Sequence, residues 1–167
     1  MIAFDTEEGR FTYRAAGIAL HNQHVLLQHA AHGGAWFLPG GRVEMQESTQ
    51  ETLLREMREE LQIEAAIERL LWVNEHFFVQ RRKLWHELAF YYLMKLPPAF
   101  VQRSWEAPVA CQEHTTRFLF EWVALDALAE IELYPTFLRE RLAALPPTPE
   151  HIVDADEEYI RLRGMLV

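Results

Sequence analysis

Cysteine is almost missing from this sequence: Cys111 stands alone among 167 residues. A lone thiol excludes an internal disulfide framework and suits a reducing compartment, so a cytoplasmic location is the expectation. No apolar run is long enough to span a bilayer, so no membrane-crossing helix is expected. The opening Met1-Ile2-Ala3-Phe4-Asp5-Thr6-Glu7-Glu8 has neither a basic start nor an apolar core and does not read as a secretory signal. Positive charge is scarce as well, with 16 Lys and Arg against 25 Asp and Glu and a net charge of −9. That balance argues against broad nucleic-acid binding through the phosphate backbone. An acidic protein that handles phosphates needs local cations instead. Glycine is sparse, and the pairs Gly33-Gly34 and Gly40-Gly41 are not followed by Gly-Lys-Ser or Gly-Lys-Thr, which rejects a Walker loop.

What the sequence does have is apolar residues, 50% of the total, enough at this length for one core and a single domain over residues 1–167. It also has a dense acidic stretch between Gly41 and Ile63. Ser48 and Glu51 stand in capping-box spacing, and no Gly or Pro follows until past Ile63, so a helix beginning at Ser48 is predicted. Leu53, Leu54, Met57 and Leu61 form one apolar stripe. Glu56, Glu59 and Glu60 share another face at i, i+3 and i+4, where like charges cost roughly 0.2 to 0.5 kcal/mol per pair. Two readings compete. A solvated acidic face balanced by Arg55 and Arg58 is the usual meaning of a charge run. Clustered carboxylates are also hard oxygen ligands for Mg²⁺, which binds few protein groups and shares its shell with water and substrate phosphates.

The flanking residues favour the second reading. Trp36-Phe37-Leu38 reads as a short buried strand, and Pro39-Gly40-Gly41 as a turn that allows close backbone approach. A strand, a glycine turn and a carboxylate-faced helix in series resemble the Nudix hydrolase family. Gly41, Glu47, Arg55, Glu56, Met57, Glu59, Glu60 and Ile63 stand at the spacing of that family's box, and Leu38-Pro39-Gly40-Gly41 precedes it as is common there. Gln62 departs, standing where the family has Gly. A left-handed residue other than Gly costs about 1 to 2 kcal/mol, so the departure bears on the helix exit more than on chemistry.

The resemblance implies an α/β fold, the Nudix fold: an α/β/α sandwich with a mixed β-sheet between helices. It implies divalent-metal-dependent hydrolysis of a diphosphate linkage in a nucleoside diphosphate derivative or a nucleoside triphosphate, with Mg²⁺ or Mn²⁺ as cofactor. Glu56, Glu59 and Glu60 would hold metal, with the Gly41 carbonyl as a further ligand, and Glu47 would pair with Arg55 to fix the loop against the helix. The general base varies within the family, leaving Glu56, Glu59 and Glu113 as candidates. Arg14, Arg81, Arg82 and Arg117 are candidate phosphate holders, and His114 a candidate for the base or sugar pocket. The expected partner is a small-molecule nucleotide; a homodimer is left open. The alternative function is a Nudix-fold sensor or scaffold that binds a nucleotide without hydrolysing it.

The remaining segments supply the layers. Phe11 to Leu20 and Val25-Leu26-Leu27 around a polar turn read as a hairpin. Ile67 to Val79 and Leu84 to Leu96 read as a second hairpin around Gln80-Arg81-Arg82-Lys83, and its later strand is apolar on both alternating sets, which predicts cover on both faces. Its rings, Trp72, Phe77, Phe78, Trp85 and Tyr91, are mostly core, with a minority available to stack on a base. His86-Glu87 lacks the second His of a zinc motif, because Phe90 stands there. From Pro97 to about Arg117 the chain reads as a long functional loop. Cys111 near His114 reads as an incidental thiol. Tyr134 to Leu145 is predicted as the second covering helix, and about 148–167 as a tail with a solvated helix start.

Overall fold

The computed structural model describes residues 1–112 and 118–165. The larger sheet contains β1 (Ala3–Asp5), β2 (Arg10–Ile18), β6 (Gly40–Arg42), β7 (Ala66–Gln80), β8 (Lys83–Lys95) and β11 (Glu150–Ala155). Its order is β1-β2-β8-β7-β11, with β6 also paired to β2. The sheet is mixed: β2 runs parallel to β8, β8 antiparallel to β7, and β11 parallel to β7. The second sheet runs β3 (Leu20–His21), β4 (His24–Ala30), β10 (Phe118–Ala124) and β9 (Val109–Ala110), with β5 (Trp36–Phe37) beside β4. The helices are α1 (Thr49–Leu61), α2 (Pro98–Glu106), a 3-10 turn Leu125–Glu130, α3 (Leu138–Arg141) and α4 (Glu157–Met165).

Adjacent residues on the central strands feed two different cores, which is why Ala15 to Ile18 of β2 and Leu88 to Met94 of β8 carry no charged residue on either face. Ala15, Tyr92 and Met94 pack with Leu53, Met57 and Leu61 of α1, together with Leu26, Phe100 and Phe120. Their neighbours Ala16, Ala89 and Tyr91 face the other way, onto Leu128 of the 3-10 turn, Leu133 of the segment after it, Leu138 of α3 and Leu142 at its end. The α/β/α layering predicted from β8 is therefore present.

Four expectations are corrected. β2 does not form a hairpin with β4: the chain leaves the large sheet at Ala19, and only Leu20-His21 turns back on β4, through Asn22 and Gln23 at positive φ. With both faces buried, β2 takes a central place beside β8 instead. The predicted Tyr134 helix shrinks to Leu138–Arg141. Residues after Pro97 form a helix, α2, with proline at its first position, where the missing N–H costs nothing. The tail contains β11, which extends the large sheet alongside β7.

Candidate active site

The site is built on α1, whose ends are defined by side chains and backbone. At its start Ser48 Oγ accepts from the Glu51 N–H, and the Glu51 carboxylate accepts from the Ser48 N–H at 2.8 Å, the capping box foreseen from spacing. At its end Gln62 adopts a left-handed conformation with φ 56°, and the Gln62 and Ile63 N–H groups close back on Arg58 and Met57. With Leu53 and Met57 fully buried underneath, Arg55, Glu56 and Glu59 fall on the side facing Gly41 and Arg42.

Arg55 organises that side. Its Nε and Nη2 donate to the two oxygens of Glu47 at 2.9 and 3.1 Å, a bidentate pair. Its Nη1 donates to both Glu56 Oε1 and Glu59 Oε2 at 2.8 Å, and Nη2 also reaches the Arg42 carbonyl at 3.3 Å. The hydrogen bonds from Arg55, with that from Thr52, hold the Glu47 carboxyl down at about 2 despite partial burial. Burial pushes the Glu56 carboxyl up, against the pull of Arg55 and Arg14. Gly41 is needed here, since a Cβ would overlap the Glu56 carboxylate. Gly40, at φ 143°, lies so close to the Ala15 backbone that a Cβ there would overlap it as well.

Among the described residues no three Asp, Glu, His or Cys converge as a ready metal cluster. The donor set nonetheless suits a divalent cation. A guanidinium nitrogen already bridges the carboxylates of Glu56 and Glu59, and the missing Cβ of Gly41 lets the Glu56 carboxylate lie directly against the Gly41 backbone. The Glu59 side chain is 48% exposed and can turn to a new partner. Glu60 is 6% exposed, and its carbonyl accepts from the Gln112 N–H at 2.8 Å.

Beside this face opens a cleft of about 390 Å³ lined by Arg14, Arg42, Phe37, Phe78, Trp85 and Tyr134. Arg14 donates to the carbonyls of Gly40 and Leu38 at 3.1 and 3.4 Å, which ties it to the glycine turn. Burial, then the neighbouring charges of Arg10 and Arg14, lower the Arg42 pKa against the pull of Glu87, which lines the same cleft; the guanidiniums crowded here suit an anion. Phe78 stacks on Trp85 with centroids 5.5 Å apart, and Phe37 lies against Tyr134 at 6.3 Å. A larger groove of about 780 Å³, lined by Trp105 and Trp122, contains no residue of the box.

The structure thus brings together Gly41, Glu47, Arg55, Glu56 and Glu59 and sets Arg14 in the adjoining cleft. Arg81 and Arg82 form the exposed turn between β7 and β8, outside the cleft lining. Glu113, His114 and Arg117 lie outside the described residues. Of the hairpin rings, Phe78, Trp85 and Tyr91 reach the cleft, whereas Trp72 is fully buried. Arg42, Phe37, Tyr134, His76 and Asp156 were missed. Arg42 alone had a local signal, being the cation next to Gly41 in the box.

A family model for the NUDIX domain matches residues 12–145. The chain belongs to the Nudix family. As a Nudix hydrolase it acts on phosphoanhydride bonds, and its family generally uses divalent metals and small nucleotide substrates. Solved structures agree on the fold. An ADP-ribose pyrophosphatase from Streptococcus suis is 18% identical with a TM-score of 0.58, over 86% of this chain and 98% of that one. A MutT protein from Bacillus halodurans is 16% identical with a TM-score of 0.58, over 89% and 92%. A NUDIX hydrolase from Nitrosomonas europaea is 15% identical with a TM-score of 0.57, over 91% and 82%. Identities this low speak to fold alone. No curated protein matches the chain by sequence. No helix among the described residues is long and apolar enough to cross a membrane.

Proposed function

We propose that this Nudix hydrolase, acting as one domain, cleaves a diphosphate linkage in a nucleoside diphosphate derivative or a nucleoside triphosphate, using Mg²⁺. The observation that carries the reading is the adjacency of an Arg55-gathered carboxylate face at Gly41 to a cleft lined by Arg14, Arg42 and stacked aromatic rings. Glu56, Glu59 and Glu60, with the Gly41 carbonyl, would hold the metal; Mn²⁺ suits the same oxygen donors. When bound, a divalent ion neutralises phosphate charge and acidifies a water.

The protein's own groups do the rest. Arg55, anchored through both oxygens of Glu47, orients the Glu56 and Glu59 carboxylates and keeps the loop against α1. Arg14 and Arg42 pair with phosphate oxygens, so charge on the leaving phosphate is matched as the bridging P–O bond breaks and the water oxygen bonds to phosphorus. The water proton goes to a carboxylate. The candidates are Glu56 or Glu59, whichever does not hold the metal, and Glu113 from the later segment. Phe78 and Trp85 offer a face for a nucleobase.

A binding-only sensor would have no need of a carboxylate face gathered at the glycine turn, and the retained box weighs against it. The deciding experiment is a Mg²⁺-supplemented screen of nucleoside triphosphates, dinucleoside polyphosphates, ADP-ribose and nucleotide sugars, with inorganic pyrophosphate and non-nucleotide diphosphates as contrasts. Hydrolysis of a nucleotide group is the expected result. Binding without turnover would support the sensor, and turnover confined to non-nucleotide compounds would refute the nucleotide specificity.

A further inference from the structure

The family match ends at residue 145, yet the cleft does not: its lining includes Asp156, which joins β11 to α4, and Glu158 of α4. This part of the lining is built rather than incidental. β11 pairs with β7 from Glu150 to Ala155, and the Asn74 amide donates to Asp154 Oδ1 at 2.7 Å. The Asp156 N–H then donates to the Phe77 carbonyl at 2.9 Å, and Tyr159 packs on the Phe77 ring at 5.3 Å. Asp156 Oδ1 lies 3.2 Å from Nε2 of His76, whose side chain is only 6% exposed and whose ring stacks on Phe78 at 4.8 Å. His76, Phe78 and Trp85 therefore form one continuous stack along the cleft wall, and it ends on a carboxylate.

The cleft lining carries both signs of charge. Arg14 and Arg42, with Glu87 among them, offer cations to a phosphate. Asp156 and Glu158 present acceptors: a carboxylate offers about four lone-pair sites, and the His76 contact engages only one oxygen of Asp156. Acceptors beside an aromatic wall suit a neutral group carrying adjacent hydroxyl donors, which is the chemistry of a sugar diol. Building on the nucleotide reading above, we propose that Asp156 and Glu158 recognise the vicinal hydroxyls of a ribose in the substrate, with His76 as the positioning residue for Asp156. The C-terminal strand and helix are then a specificity element attached to the catalytic fold.

Binding measurements test this apart from turnover. Calorimetric titration compares ADP with 2′-deoxy-ADP for the nucleoside ribose, and ribose 5-phosphate with 2-deoxyribose 5-phosphate for a sugar on the far phosphate. A hydrogen bond to a charged acceptor predicts a preference for the hydroxylated ligand of roughly ten- to a hundredfold in at least one pair. In Asp156→Asn, nearly isosteric and still able to contact His76, that preference should shrink several-fold; Glu158→Gln, an exposed change, should shrink it less. With the preferred substrate, Asp156→Asn should raise KM and leave kcat nearly unchanged. Equal affinity within both pairs for the wild type, or a preference that survives both substitutions, overturns the proposal. A preference that collapses in Asp156→Asn in a protein with no hydrolytic activity would uphold this recognition and overturn the hydrolytic reading alone.

Discussion

The two sides of α1 obey different rules. Leu53, Met57 and Leu61 are sealed against the sheet, and their contribution is burial. Glu56 and Glu59 crowd like charges on the opposite side and need Arg55 to hold them together. One side stabilises the fold, and the other is tolerated by it. Carboxylates gathered at a cost in repulsion mark a place where a cation is expected, and the difference can be measured one substitution at a time.

The largest effect should come from the charged side without loss of fold. Glu56→Gln and Glu59→Gln should each lower kcat by roughly a hundredfold or more, since metal-assisted charge stabilisation is worth several kcal/mol. Their melting temperatures in metal-free buffer should be no lower than that of the wild type, because relief of repulsion offsets weaker bonds to Arg55. The apolar side should behave inversely: Leu53→Ala, at a fully buried position, should cost about 2 to 5 kcal/mol in denaturant unfolding. Its folded fraction should turn over at close to the wild-type rate. A Leu53 variant that stays stable but loses catalysis would erase the distinction between the sides.

A smaller effect should appear in acid. Glu47 is held at about 2 in the folded protein, below its ordinary value of 4.5. The stabilisation from its pairing with Arg55 is therefore complete above pH 4.5 and is lost as pH falls towards 2. Melting curves of wild type and Glu47→Gln should differ most above pH 4.5 and converge below it; a constant offset would show that the ion pair contributes nothing. The smallest effect belongs to the helix exit. Gln62 is left-handed, so Gln62→Gly should stabilise by about 1 kcal/mol and leave kcat unchanged. Loss of activity there would mean that Gln62 takes part in the site.

The same contrast explains what could be read from the chain. The capping box, the apolar stripe of α1 and the doubly covered β8 are local patterns, and each was legible because periodicity and spacing record burial directly. The Glu47–Arg55 pair was legible through the box. β11 was not, since its place depends on a parallel partner, β7, far away in sequence, and nothing within Glu150–Ala155 announces that pairing. His76 and Asp156 escaped for the same reason, being neighbours only once β11 is laid down. α2 hid in the segment after Pro97, read as a loop although Pro98 opens the helix. Tyr134 reaches the cleft from a segment where a longer helix was expected.

If the Arg55-gathered carboxylate face binds a divalent cation, as proposed, thermal unfolding across a Mg²⁺ titration, repeated with Mn²⁺, will report it without any substrate. Binding to the folded state raises stability by mass action, so the wild-type melting temperature should climb with metal concentration, while that of a Glu56→Gln, Glu59→Gln, Glu60→Gln triple variant should stay flat. A wild type that does not respond to either ion, or a triple variant that climbs in parallel with it, would mean that these carboxylates do not hold the metal.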